Sequence, residues 1–119
     1  MRRVLLVDDN DMFRQAFVRL LEAPPDMEVV AQAGSLTEAR AKLSGVDVAL
    51  IDRELPDGDG LELIGELRQA SPGVAVFALS LTLEDAHPGQ SLEAGADGVL
   101  DKLAPPGESI SAIRRAAGG

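Results

Sequence analysis

The sequence contains no cysteine, tryptophan or tyrosine, and a single histidine, His87. Without cysteine there can be no disulfide, thiolate zinc centre or thiol nucleophile, and the absence fits a reducing compartment. His87 stands alone in a Pro/Gly segment, without metal-ligand spacing, and reads as a solvated loop residue. Aromatics make up 3 % of the chain and are all phenylalanine (Phe13, Phe17, Phe77), so the core must rest on Val, Leu, Ile and Ala. Bases are also scarce, 11 against 20 acids, for a formal charge of −9. The chain thus lacks the cations that direct nucleic-acid binding uses to neutralise phosphates, whereas it is suited to holding a cation itself. Long apolar runs are missing as well. The N-terminal run is only Val4-Leu5-Leu6-Val7, short of the ~7–15 residues of a signal-peptide core and the ~20 of a membrane span, so the expected location is cytoplasmic, away from membranes.

What is present is ordinary for one packed domain: 119 residues, 45 % apolar and 26 % charged, read as a single domain over 1–119. Short apolar runs alternate with helical patterns. Val4–Val7, Val29–Ala31, Val46–Ile51, Val74–Leu79 and Gly98–Leu100 read as five strands, the first a run buried on both faces. Between them come helical stripes: Phe13, Ala16, Phe17, Leu20 and Leu21, stopped by Pro24-Pro25; Leu36, Ala39 and Leu43, opened by a capping box at Ser35–Glu38; and Leu61, Ile64 and Leu67, closed by Ser71-Pro72-Gly73. A fourth helix, in the region 84–94, is expected to begin late, near Pro88, because Pro88-Gly89 interrupts the pattern. The last follows Pro105-Pro106 and carries Ile110, Ile113, Ala116 and Ala117. Buried strands alternating with helices predict an α/β fold, a doubly wound five-stranded parallel sheet with right-handed crossovers. Ligands of such sheets bind beyond the carboxyl ends of the strands.

Those ends carry Asp8 and Asp9, Asp52, Ser80 and Lys102. Two carboxylates ~4 Å apart repel by ~4 kcal/mol at an effective dielectric of ~20. Three together call for a cation, a raised pKa or a nearby lysine. Mg²⁺ is commonly held by one or two carboxylates, waters and phosphate oxygens. With such an ion and Lys102 present, Asp52 can act as a nucleophile on phosphorus. Singly, each residue has a plainer reading: a strand-end aspartate is usually a turn former or helix cap, a lone lysine is usually solvated, and a strand-end serine bonds backbone. The ordered set favours chemistry.

Taken together, Leu5-Leu6-Val7-Asp8-Asp9, the run Leu50 to Gly60 (LIDRELPDGDG), Leu79-Ser80 and the run Ala94 to Lys102 (AGADGVLDK) resemble a bacterial response-regulator receiver domain, CheY-like, from Arg3 to about Ala117. The resemblance implies a flavodoxin-like (βα)5 fold of strand order 2-1-3-4-5. It implies that Asp52 accepts a phosphoryl group from a sensor histidine kinase with Mg²⁺, a self-phosphorylation rather than enzymatic turnover. Asp9 would bind the ion directly, Asp8 mostly through water, and Asp52 and the backbone carbonyl of Glu54 would complete its protein ligands. Ser80 and Lys102 would hold phosphoryl oxygens. Lys102 is followed by Leu103 rather than the proline of many receivers, and the ending AIRRAAGG resembles the NarL/FixJ branch, whose receivers precede a LuxR-type helix-turn-helix. That implies a module of a two-component transcription regulator, its partners being the kinase and either its own effector domain, outside this chain, or a second receiver in a homodimer.

Three positions depart from the family pattern. Leu81 replaces a small residue that leaves room for the phosphoryl group, Val99 replaces the aromatic that turns inward on activation, and Arg53 replaces an aliphatic beside the acceptor. Leu81 and Val99 motivate the alternative of a pseudo-receiver, an interaction domain not switched by phosphate. Other motifs are set aside. Asp57-Gly58-Asp59-Gly60 with Glu66 imitates part of an EF-hand, but Leu55 would occupy its first ligand position, so it reads as a turn into the third helix. Asp9-Asn10-Asp11 imitates a haloacid-dehalogenase start, with Phe13 where that motif wants Thr or Val. Arg114-Arg115 reads as a solvated helix face rather than a DNA contact.

Overall fold

The computed structural model describes residues 1–81 and 88–116. Five parallel strands, β1 (Arg2–Val7), β2 (Met27–Ala33), β3 (Val48–Asp52), β6 (Ala75–Ser80) and β7 (Gly98–Asp101), form one sheet in the order β2-β1-β3-β6-β7. Counting only the strands of this sheet, that is the expected 2-1-3-4-5. The chain reverses direction across the sheet between β1 and β3, so the crevice at their carboxyl ends is the topological switch point. The helices are α1 (Asp11–Glu22), α2 (Leu36–Arg40), α3 (Leu63–Ala70), α4 (Pro88–Glu93) and α5 (Pro106–Ala116). Among the described residues no helix is long and apolar enough to cross a membrane.

Strand alternation divides the core into two layers. Val4 and Leu6 of β1, Val48 and Leu50 of β3, and Ala75, Phe77 and Leu79 of β6 pack with Phe17 and Leu21 of α1 and Ile113 of α5. Leu5, Val7, Ala49, Ile51 and Val76 face the other way, onto Leu36 and Ala39 of α2 and Leu63, Ile64 and Leu67 of α3. Strands with apolar residues on both faces are what helices on both sides of a parallel sheet require. Each fully buried Leu or Ile contributes ~1.5–3 kcal/mol relative to exposure.

The helix starts follow their caps. The Asn10 side chain accepts from the Phe13 amide at 3.0 Å, and Ser35 Oγ from the Glu38 amide at 3.1 Å. α4 is described from Pro88 to Glu93; residues 82–87, His87 among them, on which the expected late start turns, lie outside the described residues. The second helix is shorter than its stripe suggests. It closes at Arg40 through tight bonds from Ala41 to Glu38 and from Lys42 to Ala39, and Gly45 turns the chain at φ 71°. Leu43 is still buried, held in a turn whose carbonyl accepts from Ser71 Oγ at 2.7 Å.

The sequence reading did not anticipate a two-stranded antiparallel hairpin, β4 (Glu54–Leu55) and β5 (Gly58–Asp59), just after β3. It leads through a 3-10 turn (Gly60–Glu62) into α3, with reciprocal bonds from Leu61 N to Asp59 Oδ1 (2.9 Å) and from Asp59 N to Glu62 Oε2 (3.1 Å). The Asp-Gly-Asp-Gly run is therefore the expected turn into the third helix. Gly60 cannot be replaced lightly, since a Cβ there would lie 2.1 Å from the Asp52 carbonyl oxygen.

Candidate functional site

β1 and β3 pair in register, Val4 with Val48, Leu6 with Leu50 and Val7 with Ile51. Carried one residue further, that register sets Asp8 beside Asp52. Both continue the Val4–Leu6 and Val48–Leu50 rows, so both side chains lean toward the α1/α5 layer. Each gives one oxygen to the local turn: Asp8 Oδ1 accepts from the Asn10 amide and Asp52 Oδ1 from the Glu54 amide, both at 2.9 Å. The other oxygens, Asp8 Oδ2 and Asp52 Oδ2, share Lys102, whose Nζ lies 2.6 Å and 3.2 Å from them. Asp9 completes the group, and one carboxylate oxygen from each of Asp8, Asp9 and Asp52 falls within 4.8 Å of the others.

Burial sets the electrostatics. Asp8 is fully buried and Asp52 8 % exposed, whereas Asp9 is open to solvent. Burial raises the Asp52 pKa above the ordinary carboxylate value; the Glu54 amide and the Lys102 charge oppose this, and Asp8 adds to it. For Lys102, burial acts to lower the pKa, but the hydrogen bond it donates to Asp8 and the charges of Asp52 and Asp8 outweigh it, so the ammonium is held more firmly. Its ammonium lies over the face of Phe13, with Nζ 4.4 Å from the ring centroid, and Phe13 stacks on Phe17 at 5.1 Å. Sequence reasoning placed Phe13 only on a helical stripe. Its aromatic ring one turn after a strand-end aspartate pair was the available signal.

The pair opens into a cleft of about 920 Å³ lined by Asp9, Asp52, Arg53, Glu54, Ser80 and Lys102 among others. All six expected site residues are thus at one sheet edge, with Asp8 beneath the cleft. Ser80 is half-buried, and its carbonyl accepts from the Lys102 amide at 2.7 Å, which ties β6 to the turn after β7. The Glu54 side chain is exposed, and its amide is the part of it that touches Asp52. Leu81 lines the cleft but is 59 % exposed. Val99 on β7 is half-buried. The donor set fits a hard divalent ion. Mg²⁺ at ~2.0–2.1 Å from each oxygen puts neighbouring ligands ~3 Å apart and opposite ones ~4 Å apart, a small contraction of the observed cluster, and carboxylate oxygen is its preferred donor.

The motifs set aside have structural explanations. Asp57 bonds the amides of Leu36 (2.8 Å) and Thr37 (3.1 Å), so it caps α2 from the hairpin. Asn10 caps α1. Arg114 is not merely solvated: it pairs with Asp26 at 2.9 Å, as Arg2 does at 2.7 Å, fastening α5 to the α1–β2 connection. Arg53 pairs with Asp59 at 3.0 Å and donates to Gln90 Oε1 of α4 at 3.2 Å.

Residues 4–114 match the family model described as the response regulator receiver domain. The chain is 42 % identical over 118 residues to the transcriptional regulatory protein UhpA of Salmonella typhimurium, covering 98 % of this chain and 59 % of that protein. Among solved structures it resembles the signal receiver domain of the putative response regulator NarL from Mycobacterium tuberculosis, at 32 % identity and TM-score 0.85, covering 99 % of this chain and 97 % of that one. It also resembles a chain in the complex of the CheA3 P1 domain with CheY6 from R. sphaeroides, at 31 % identity and TM-score 0.85, covering 99 % and 98 %. The chain spans about three fifths of UhpA's length, 59 %.

Proposed function

The chain belongs to the response regulator receiver family, and from that premise we propose that Asp52 is its phosphoacceptor, phosphorylated by a sensor histidine kinase. The observation that carries this reading is the shared cation: one buried ammonium held between two buried carboxylates, with a third carboxylate at the open mouth. Asp9, Asp52 and the Glu54 carbonyl, with Asp8 mostly through water, would hold Mg²⁺, which when bound would supply positive charge to the phosphoryl oxygens. The chain's own groups do the rest. An Asp52 oxygen forms the new bond to phosphorus while the bond from phosphorus to the donor's leaving atom breaks. The Glu54 amide fixes the orientation of the Asp52 carboxylate, and Lys102, already at 3.2 Å from Asp52, pairs with a phosphoryl oxygen once Asp52 carries the acyl phosphate. Ser80 stands at the end of the neighbouring strand to donate a hydroxyl to another.

The pseudo-receiver reading is not favoured, because every charged group of the set is in place and Leu81 points its bulk largely into solvent. As a receiver the chain is a signalling module rather than a turnover enzyme. The CheA3 P1 neighbour supports a kinase phosphotransfer domain as one partner. The greater length of UhpA supports an effector domain as another and transcription control as the output; a second receiver in a homodimer is the other candidate. The test is intact mass after incubation with Mg²⁺ and acetyl phosphate. One labile phosphoryl group on the wild type, absent from Asp52→Asn, is the expected result. A labile group that persists in that variant moves the acceptor elsewhere. No adduct from acetyl phosphate or phosphoramidate returns the pseudo-receiver.

A further inference from the structure

We propose that Arg53 is a latch between the acceptor strand and α4, a positioning residue that acts through Gln90 and lets go of it when Asp52 is phosphorylated; this rests on the reading of Asp52 given above. Arg53 directly follows Asp52, and its backbone is pinned by the Gly60 amide, which donates to the Arg53 carbonyl at 2.9 Å. A single nitrogen of its guanidinium, Nη2, serves two acceptors: Asp59 Oδ2 at 3.0 Å on the hairpin and Gln90 Oε1 at 3.2 Å in the first turn of α4. The two are unequal. A bond to a carboxylate is roughly twice as strong as one to a neutral amide, so under a competing pull Gln90 is released first.

The pull arises in the same cleft, which Arg53 lines together with Asp52, Ser80 and Lys102. Phosphorylation replaces one negative charge on Asp52 by about two, spread over strong acceptor oxygens. At the other end of the latch, the fully buried hydroxyl of Ser91 in α4 has no hydrogen-bond partner among the described residues, so the helix's present seating leaves a buried polar group unsatisfied. Val99, at the position where the family carries a movable ring, has no ring with which to transmit the change. Arg53 offers a path made of charge instead.

The ligand for the test is beryllofluoride with Mg²⁺, titrated into isotope-labelled domain and followed by amide resonances of Gly60, Ser80 and Gln90 to Glu93. If the latch opposes the phosphorylated state, Gln90→Ala tightens beryllofluoride binding about threefold, and Gln90→Glu, which strengthens the bond to Arg53, weakens it by a similar factor. In an Arg53→Leu background both effects disappear, and the wild-type displacement of the Gln90–Glu93 resonances falls by more than half. Should Arg53→Leu not fold, Arg53→Gln keeps a polar side chain at the cleft rim and serves as the background. Gln90 effects that persist undiminished without Arg53 overturn the latch, because they then reflect helix charge or stability alone. A wild-type domain that binds no beryllofluoride overturns both the latch and the acceptor reading, whereas binding with additive Gln90 and Arg53 effects overturns the latch only.

Discussion

Two sets of aspartates lie close together in this chain and behave in opposite ways. Asp57 and Asp59, on the hairpin, use their oxygens on their neighbours: Asp57 on the amides of Leu36 and Thr37 and the Thr37 hydroxyl, Asp59 on the Leu61 amide and Arg53. Backbone amides, the Leu36 bond foremost, hold the Asp57 carboxyl below its ordinary range; at Asp59 burial acts to raise the value and the Arg53 bond outweighs it. Asp8 and Asp52 give one oxygen each to a turn and turn the other toward a shared charge, and burial leaves Asp52 raised. An acid whose lone pairs are taken by amides is structural and already neutralised, whereas acids stacked on one another still require a cation.

The sharpest break between the sets is chemical. Asp52→Asn should abolish the labile phosphoryl adduct outright, while Asp57→Asn and Asp59→Asn still acquire it, by intact mass. Next in size is the contact on which both sets depend. Gly60→Ala drives a methyl into the Asp52 carbonyl oxygen and the Ile51 side chain, 2.1 and 2.6 Å away, and overpacking against backbone should cost about 3 kcal/mol in denaturant unfolding. Gly65→Ala in α3 meets nothing within 4 Å and should instead stabilise by about 0.5–1 kcal/mol. Equal effects would mean that Gly60 is not a close-approach position. Smaller again is the metal. Asp9→Ala should weaken Mg²⁺ binding by about tenfold or more, and Asp59→Ala by about twofold at most, by isothermal calorimetry. Equal losses would place the ion nearer the hairpin.

Much of this contrast was legible in the sequence. Apolar runs ending in Asp8-Asp9, Asp52, Ser80 and Lys102 gave the parallel sheet and its functional edge, because buried strands must read as continuous hydrophobic segments. The same reading declined Asp57 and Asp59 as calcium ligands, because Leu55 would fall at the first ligand position and Pro56 inside the loop. What stayed hidden was long-range. That Asp57 caps a helix 21 residues earlier, that Phe13 carries Lys102, and that Arg114 fastens to Asp26 across 88 residues are properties of packing. No local period encodes them. The early close of α2 was hidden for a related reason, since Leu43 keeps its buried place in a turn and so preserves the stripe that suggested more helix.

The smallest expected effect tests the structural set on its own ground. Asp57 caps α2 only as a carboxylate with both oxygens accepting. Its pKa in the folded chain lies below the ordinary value, so the stability it contributes is fully present above the ordinary carboxylate range and is lost as pH falls through the folded value. Asp26, lowered chiefly by its bond from Arg114, loses its contribution in the same direction, so the wild-type curve alone cannot separate the two. The difference between wild type and Asp57→Ala can. In Mg²⁺-free buffer the thermal midpoint of the variant should be lower at neutral pH, and the gap should narrow below about pH 4. Raised salt should leave the gap nearly intact, because amide bonds to a carboxylate are screened less than the exposed pairing of Asp26 with Arg114. A gap that stays constant through the acid range would show that the charge of Asp57 does not hold α2, and the two sets of aspartates would then differ in burial but not in role.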